Sequence, residues 1–586
     1  MNPSMAPNKI VLPLVILFSL SVVTFIAWWG YGKPLIGIDD ANIYFVYMKH
    51  FAEGQGFVWN LGGERVEGFT SLLWTLIGAL FYKLSPANFP ILLLFFGFVL
   101  SFFTLYKILR FVRKLNNTEE RTITVTDLII LFLLIAPRGF VEWNILCLME
   151  TSLWSYLLVS TTLLLCNYYF NGQKINLIRL SVLIILINLT RPESIAFNLL
   201  FIVILFVMLF AERGWKYNAR NALIPLLSHI ISLGSLILWR ISYFGYPLPN
   251  TYYAKVSGNE KSNLTGGLGY LYQFFNNYPY SAFILTLLLF FGIAMLVKWK
   301  KGPNKEVFSK YEKVQAVLLS VVFPGLAFPV LTGGDHFHFS RFYQPIIPLI
   351  YLAVTNYYLW HYYLGITVQS RKTASLVLML SVVLIVFFSS KSTFFDFLKK
   401  EPLNFPEFVI AEDGRKAAAE LNEAFAACKQ YPALGSFATG AIGYMYNGKT
   451  VDLLGLNSTI MAHANNIKTG TRNHASFDKK AFWILKPDII GTAFGGQVIY
   501  DTSAFVLYEN IPGYRNDNFI YLAYKKIFDD DDFRQTYLPA LVQYQDKKFF
   551  VFGYYAKPFL ESLDHSAYKV KILERNFNPH NPDSIK

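Results

Sequence analysis

The sequence is poor in charged residues and in cysteine. Charged side chains make up 15% of its 586 residues, whereas a typical soluble domain has about 25%. Together with a mean hydropathy of +0.37, this excludes a disordered chain, a collagen-like chain and a simple array of soluble domains. The three cysteines (Cys147, Cys166 and Cys428) are too few for a disulfide scaffold, and no CxxC or CxxxH spacing indicates a structural zinc site.

The charges are distributed unevenly along the chain. Residues 391–586 hold 23 basic and 22 acidic residues, which is the charge density of a soluble domain, whereas residues 1–390 hold 29 basic and only 16 acidic ones. We therefore predict a membrane domain over 1–390, with a first outer loop at 31–87, and a soluble domain over 391–586. Nucleic acid is not an expected partner, because the soluble part shows no basic patch.

Apolar runs near the membrane-spanning length of about 20 residues are frequent in the first part. The run 70–83 is bounded by Arg65, Glu67 and Lys83 and is too short to span comfortably, so it is either a helix that does not cross or a short tilted one. We expect about eleven spans in a polytopic α-helical protein, at about 11–30, 88–107, 125–141, 147–168, 175–191, 194–211, 221–243, 280–298, 314–332, 342–363 and 373–390.

Lysine and arginine indicate the orientation, because they are enriched in cytoplasmic connections. One set of connections holds 19 of the 29 basic residues of the membrane part. If these connections are cytoplasmic and 70–83 does not cross the membrane, the N-terminus is cytoplasmic and residues 391–586 lie outside. The first apolar run resembles a signal peptide, but its length favours a retained span.

The unusual polar motifs then gather on the outer face. Asp39 and Asp40 directly follow the first span, and two adjacent carboxylates are costly there unless the surface is wet or functional. One of them could simply cap a helix N-terminus, but the presence of two adjacent carboxylates favours a functional role. Further substrate-binding candidates stand in three later motifs and in the first loop itself: Glu67, Glu193, Asn250, Tyr252, Asp335 and His336.

Each motif also has a plainer interpretation. Arg191 and Glu193 flank Pro192 and could pair with each other. The tyrosines near 243–253 could form an interfacial aromatic belt. The run Asp335-His336-Phe337-His338 could ligate a metal, but such histidines more often donate hydrogen bonds, so we predict no metal site and leave a divalent cofactor open.

Four cations share this face, and they suit a phosphate. We predict that Arg240, Arg341, Arg191 and Lys255 bind a donor phosphate, because cations, and arginine bidentately, recognise phosphate oxygens. We predict Asp39 or Asp40 as the base that takes a proton from an acceptor hydroxyl. Asp39 is favoured, the exchanged roles stay open, and the pair fits an inverting or a retaining route.

These motifs resemble those of a known class of membrane enzyme. The segment 39–74, followed by TRPES (190–194), YFGYPLPNTYYAK (243–255), GGDHFHFSR (333–341) and GLNSTIMAHA (455–464), resembles the GT-C fold glycosyltransferases, in particular the terminal arabinofuranosyltransferases of mycobacterial cell walls. The resemblance implies a polyprenyl-phosphate sugar donor, an extracytoplasmic active site and an essential carboxylate at Asp39 or Asp40.

The function expected from this resemblance is sugar transfer at the outer face of a bacterial cytoplasmic membrane. The donor would be a polyprenyl-phosphate sugar, with a pentofuranose as one candidate, and the acceptor a hydroxyl of an envelope glycan or glycolipid. The abundance of Phe, Tyr, Lys and Asn differs from mycobacterial composition, so we expect a relative from a different kind of bacterium. The alternatives are a transporter or flippase of lipid-linked sugars, and a transferase that moves another group from a lipid phosphate.

The C-terminal part reads as a small α/β or α+β domain. Short apolar runs at 433–438, 450–454, 488–492 and 506–508 indicate strands, and 413–428 indicates an amphipathic helix. Asp452, His463 and His474 are its most noticeable polar residues, and we expect each to be structural.

Overall fold

The computed structural model describes most of the chain. The described residues are 10–34, 36–119, 123–171, 175–213, 215–255, 260–278, 309–363, 405–464, 477–502, 523–545 and 547–575, with isolated positions between 281 and 297 and at 507. The first part is helical, and a strand-containing domain follows it.

In the residues that the structure describes, the helical part contains α-helices of very different lengths, a π-helical turn at Glu142–Leu146 and a 3-10 helix at Arg341–Ile346. The α-helices are Val11–Gly30, Asp39–Ala52, Leu72–Leu84, Phe89–Leu115, Val125–Ile135, Thr151–Asn171, Leu177–Asn188, Ser194–Arg213, Trp215–Phe244, Asn250–Lys255, Glu260–Asn277, Lys310–Leu331 and Ile347–Tyr363.

Within the described residues, four helices are long and apolar enough to cross a membrane: Val11–Gly30, Phe89–Leu115, Asn221–Phe244 and Lys310–Leu331. The expected count of eleven is therefore not confirmed. Some predicted spans are shorter than expected; the run 125–141, for example, gives a helix that ends at Ile135, because Pro137 has no N–H to continue the helical hydrogen bonds. The predicted span 373–390 lies outside the described residues, and 280–298 is described only in part.

Asp39–Ala52, here called the first-loop helix, follows the first apolar helix after a short connection. Ile38 is extended at its N-cap, Asp39 and Asp40 stand in its first turn, and Lys49 and His50 stand in its last turn. Acidic residues at the start and basic residues at the end both complement the helix dipole. Gly54, with a φ of +81°, follows the end of the helix and turns the chain back.

The helix Leu72–Leu84 packs against the first-loop helix and is bonded to it at its far end. Its 13 residues extend only about 20 Å, less than the hydrocarbon thickness of about 30 Å. Leu73 donates its N–H to the Leu189 carbonyl at 2.9 Å, and Tyr82 donates its hydroxyl to Glu53 at 2.7 Å. That 70–83 does not cross the membrane stays a prediction.

The C-terminal domain is built on a mixed sheet. Its described strands are β1 (Leu434–Ser436), β2 (Thr450–Asp452), β3 (Ile489–Ile490), β4 (Gln497–Ile499), β5 (Tyr537–Tyr544), β6 (Phe550–Ala556) and β7 (Tyr568–Ile572). The order is β2-β1-β3-β6-β5-β7, with β4 also paired to β6. The pairs β1–β2 and β1–β3 are parallel, and the others are antiparallel.

Helices complete the domain, and the first three predicted apolar runs become β1, β2 and β3. The fourth run, at 506–508, lies outside the described residues apart from Leu507. The expected amphipathic helix is observed at Pro406–Ala424, slightly earlier than predicted. The other helices are Thr439–Met445, Thr459–Ala462, Lys479–Leu485, Asp531–Thr536 and Lys557–Ser562, with a 3-10 turn at Ile527–Asp529.

Polar contacts join the first loop to this domain. The indole N–H of Trp59 and the amide of Asn60 both donate to the Thr450 carbonyl, at 3.1 and 2.9 Å. Asn60 also accepts the N–H of Thr450 at 3.0 Å. Tyr47 donates its hydroxyl to the Asn457 side chain at 3.0 Å. These groups are largely buried, so the hydrogen bonds fix the register between the loop and the domain.

Candidate active site beside the first-loop helix

Asp39 is buried at the junction between the first-loop helix and the C-terminal domain. Its two carboxylate oxygens accept the backbone N–H groups of Gly440 at 3.1 Å and Ala441 at 2.8 Å. These N–H groups belong to the first turn of the helix Thr439–Met445, so Asp39 caps a helix of the other domain. Burial raises the pKa of Asp39 to about 6, although both backbone N–H groups oppose that shift.

Asp40 faces a different group of residues. Its carboxylate lies 3.5 Å from the Arg341 guanidinium, and the same guanidinium lies 2.6 Å from the Asp335 carboxylate. Asp335 and Arg341 are buried, whereas the Asp40 side chain keeps 22% of its surface exposed. Of the two neighbouring carboxylates, the one that a substrate can reach is therefore Asp40.

Arg341 is held in place by aromatic rings as well as by charge. Its guanidinium carbon lies 4.3 Å from the Phe337 ring centroid and 5.0 Å from that of Phe342. Phe339 and Ser340, directly before it, have left-handed φ values of +57° and +51°. Such a backbone is uncommon outside glycine, and the sharp turn aims Arg341 back at Asp335.

His336 and Lys255 extend the cluster. The backbone N–H of His336 donates to Asp335 at 2.9 Å. Burial lowers the pKa of the His336 imidazole; the charge of Asp335 opposes this and that of Lys255 adds to it. Lys255 ends the helix Asn250–Lys255, so a second loop delivers a cation to the same place.

Glu407 is a further carboxyl group that the sequence argument did not select. It lies in the first turn of the helix Pro406–Ala424. Burial raises its pKa to about 8, and the charges of Asp40, Asp39 and Asp335 add to that shift. We call Asp40, Asp335, Arg341, His336 and Glu407 the polar cluster.

Arg191 lies near this cluster but is already paired. It donates to Glu193, at 2.9 to 3.2 Å, and to Glu150 at 2.5 Å. Its guanidinium carbon lies 5.4 Å from the centroid of Phe342, the ring that also contacts Arg341. The pairing of Arg191 with Glu193 agrees with the plainer interpretation of that motif.

Arg240 and Glu67 require a correction. They were predicted as a phosphate ligand and a substrate ligand, but they form a bidentate ion pair with donor–acceptor distances of 2.9 to 3.1 Å. Their side chains are only 8% and 2% exposed. Because each neutralises the other in a buried position, the geometry makes this pair structural.

Asn250 and Tyr252 stand on the segment that follows. The Asn250 side chain donates to the carbonyls of Gly455 and Leu456 at 2.8 and 2.9 Å, and this contact holds the helix Asn250–Lys255 against the C-terminal domain. Tyr252 is 46% exposed. Asn250 is therefore a domain contact, whereas Tyr252 remains accessible to a substrate.

Of the polar residues noted in the C-terminal part, Asp452 is buried and accepts the backbone N–H groups of Leu454, Gly455 and Asn457 at 2.8 to 3.0 Å. These bonds order a loop, which agrees with the expected structural role. His474 lies outside the described residues. His463 contacts the rings of Tyr246 and Tyr253.

Two charged residues of this region were not selected by the sequence argument: Glu407, whose pKa is influenced by Asp40, and Glu150, which pairs with Arg191. Glu150 falls inside the predicted span 147–168, and an acidic residue inside an apolar run is itself a functional signal. Glu407 gave a weaker signal, because it looks like an ordinary acidic residue in the first turn of an amphipathic helix. Among the described residues, no three His, Cys, Asp or Glu side chains are arranged to hold a metal ion.

No family model matches the chain, and no curated protein matches it. Among solved structures it is similar to the archaeal oligosaccharyltransferase AglB from Archaeoglobus fulgidus in complex with an inhibitory peptide and a dolichol-phosphate. The TM-score is 0.49 at 11% identity, over 95% of this chain and 75% of that one.

Two further structures of that oligosaccharyltransferase give similar values. The apo form has a TM-score of 0.46 at 11% identity, over 95% of this chain and 76% of that one. The form tethered to an acceptor peptide has a TM-score of 0.45 at 12% identity, over 95% and 75%. This level of likeness does not assign an activity, and the resemblance to arabinofuranosyltransferases is not shown.

Proposed function

We propose that this protein is a membrane glycosyltransferase of the GT-C type. In this proposal it transfers a sugar from a polyprenyl-phosphate donor to a hydroxyl group of an envelope glycan or glycolipid. The observation that carries the proposal is the polar cluster, in which an accessible carboxylate, Asp40, lies beside a buried arginine, Arg341, with Lys255 close by.

The chemistry needs these two kinds of group at one place. A sugar hydroxyl is a weak nucleophile, so a carboxylate must take its proton as it attacks. The acceptor oxygen bonds to the anomeric carbon of the donor, and its proton passes to Asp40. The bond from the anomeric carbon to the phosphate oxygen breaks, and its electron pair leaves with the lipid phosphate, whose negative charge Arg341 and Lys255 stabilise.

The position of the cluster in the fold supports transfer rather than transport. Asp40 and Glu407 stand in the first turns of their helices, Lys255 stands in the last turn of its helix, and Asp335 follows the helix that ends at Leu331. A transporter is expected to carry its ionisable groups near the middle of its spans. A cluster at helix ends suits a donor whose phosphate lies at the membrane surface.

The site residues of this proposal are a subset of those that the sequence predicts. Arg240, Glu67, Arg191 and Asn250 are left out, because each is paired with another group of the protein. The base is Asp40 rather than Asp39, because both oxygens of Asp39 are engaged by backbone N–H groups. Arg341 and Lys255 remain the phosphate ligands, and Asp335 and His336 position Arg341. The sugar is open, with a pentofuranose among the candidates.

Sugar transfer by the purified full-length protein in lipid nanodiscs tests the proposed function. Polyprenyl-phosphate donors carrying pentofuranoses and hexoses are supplied with a glycan acceptor, and the released polyprenyl phosphate is measured. Release that depends on both the acceptor and Asp40 supports the proposal. Movement of an intact donor across a sealed vesicle without release would overturn it in favour of a flippase.

We further propose that the site faces the outside of a bacterial cytoplasmic membrane. The motivation is the distribution of basic residues among the connections of the membrane part. A reporter that is active only in the periplasm, fused after Lys586, is expected to be active. Activity of a cytoplasmic reporter at the same position would contradict this orientation.

A further inference from the structure

A cavity of about 470 Å³ opens in the C-terminal domain, and none of its lining residues belongs to the polar cluster. This volume is within the range of small-molecule sites, about 300–1,000 Å³. Its wall combines three lysines, Lys479, Lys480 and Lys525, with the apolar side chains of Ile460 and Ile484. Such a lining suits a ligand that has both an anionic group and an apolar face.

Two of the three lysines remain available for a ligand. Lys479 forms an ion pair with Asp530 at 2.8 Å. In the part of the chain that the structure describes, neither Lys480 nor Lys525 forms an ion pair, and the carboxylate of Asp478 accepts the N–H of Ala481 at 2.9 Å as a helix cap. Lys525 has a left-handed φ of +48°, an uncommon backbone for a lysine.

A surface of aromatic rings adjoins the cavity. His463 packs against two tyrosine rings: its ring centroid lies 4.1 Å from that of Tyr246 and 4.3 Å from that of Tyr253, and the two tyrosine centroids lie 5.7 Å apart. Tyr246 and Tyr252 are 37% and 46% exposed. We call these four residues the aromatic ledge. His463 directly follows the helix Thr459–Ala462, which carries Ile460 into the cavity wall.

The aromatic ledge also connects to the polar cluster. Tyr252 and Tyr253 belong to the helix Asn250–Lys255, whose last residue, Lys255, influences the pKa of His336. Two short helices in contact, Asn250–Lys255 and Thr459–Ala462, therefore link the polar cluster at one side with the cavity at the other.

We propose that the aromatic ledge and the cavity form the binding site of the acceptor, and that this acceptor is a glycan with an anionic substituent. Sugar rings stack their C–H faces on aromatic rings, and tyrosine hydroxyls bind sugar hydroxyls. The anionic group, a carboxylate or a phosphate, is bound by Lys480 and Lys525. The identification of the ligand as the acceptor rests on the proposed function, whereas the site itself does not.

Binding of four soluble probes to the full-length protein in nanodiscs tests this proposal without any donor. The probes are tetragalacturonate, its methyl ester, mannotetraose bearing a single 6-phosphate, and mannotetraose. The two members of each pair share one sugar backbone and differ in the presence of the anionic group, and together the pairs separate a carboxylate from a phosphate. We expect at least one charged probe to bind about tenfold more tightly than its neutral partner.

Variants then locate the site. Lys480→Gln with Lys525→Gln should abolish the preference for the charged probe, whereas Tyr252→Ala should weaken charged and neutral probes alike. Lys429→Gln removes an exposed lysine elsewhere in the domain and should change nothing. Equal binding within both pairs, or an equal loss with Lys429→Gln, would overturn the proposal. Sugar transfer without this preference would overturn it and leave the proposed function intact.

Discussion

The carboxylate of Asp39 accepts a hydrogen bond of 2.8 Å from the backbone N–H of Ala441, a residue 402 positions further along the chain. The neighbouring Asp40 instead faces Arg341. Two adjacent acidic residues thus have different tasks: Asp39 holds the C-terminal domain against the first-loop helix, and Asp40 lies open to a substrate.

Replacing Asp39 should therefore weaken the junction between the domains. In Asp39→Ala, the N–H groups of Gly440 and Ala441 lose their acceptor, and each unsatisfied buried donor costs about 1–3 kcal/mol. We expect a lower melting temperature of the purified protein in detergent. Glu561→Gln, which removes an exposed carboxylate, serves as the control for charge.

Gly440→Ala tests the same junction from the other side, because an added Cβ would overlap the carbonyl oxygen of Asp39. It too should lower the melting temperature. A melting temperature unchanged in both Asp39→Ala and Gly440→Ala would show that this contact does not stabilise the junction.

The buried pair of Arg240 and Glu67 gives a second prediction. Arg240→Ala leaves Glu67 without its cation and should lower the free energy of unfolding by about 3–5 kcal/mol. The double variant Arg240→Met with Glu67→Met should recover most of that loss, because apolar groups of similar volume can replace a buried pair. If Arg240→Ala melts normally but fails to bind donor, Arg240 is a phosphate ligand after all.

Arg341 should behave differently from Arg240. Arg341→Ala removes the guanidinium between Asp40 and Asp335, and loss of a charge-assisted hydrogen bond should weaken donor binding about ten- to 150-fold. Arg341→Lys keeps the charge and should recover part of the affinity. The control is Arg179→Ala, an exposed arginine. Wild-type donor affinity in both Arg341 variants would remove it from the phosphate site.

The raised pKa of Glu407 predicts that the rate of sugar transfer depends on pH. Its pKa is raised from 4.5 to about 8, so the carboxyl is mostly neutral at pH 7. As the pH rises through 8, it becomes an anion beside Asp40 and the donor phosphate, and transfer should slow. Glu407→Gln stays neutral and should lose this alkaline limb in a profile of kcat/KM from pH 6 to 10.

The same shift affects folding. Because the pKa is higher in the folded protein, the contribution of Glu407 to the unfolding free energy is fully present below pH 4.5 and falls as the pH rises to about 8. Glu412→Gln, on the exposed face of the same helix, is the matched control. If kcat/KM falls at alkaline pH to the same extent in wild type and in Glu407→Gln, the ionisation of Glu407 does not cause the fall and this prediction is wrong.

Part of this site could be predicted from the sequence. Asp40, Asp335 and Arg341 can be selected from the sequence because they are charged residues directly beside apolar runs, a position that indicates a functional role. The fold brings these three together. The short helix Leu72–Leu84 was separated from the spans by its length and its flanking charges.

The partners across long stretches of chain could not be predicted. Arg240 and Glu67 are 173 positions apart, and each looks like a ligand until the other is seen beside it. The exchange of roles between Asp39 and Asp40 depends on backbone N–H groups that a sequence does not locate. Glu407 reaches the cluster only because its helix packs on the first-loop helix.

The central claim is that Asp40 removes the proton of the acceptor, and the turnover number of Asp40→Asn tests it most directly. Asparagine keeps the size of the side chain but cannot take a proton, so kcat should fall about 10²- to 10⁴-fold, while the melting temperature and donor affinity measured on the same preparation stay close to wild type. A kcat of Asp40→Asn within a few-fold of wild type would contradict the account.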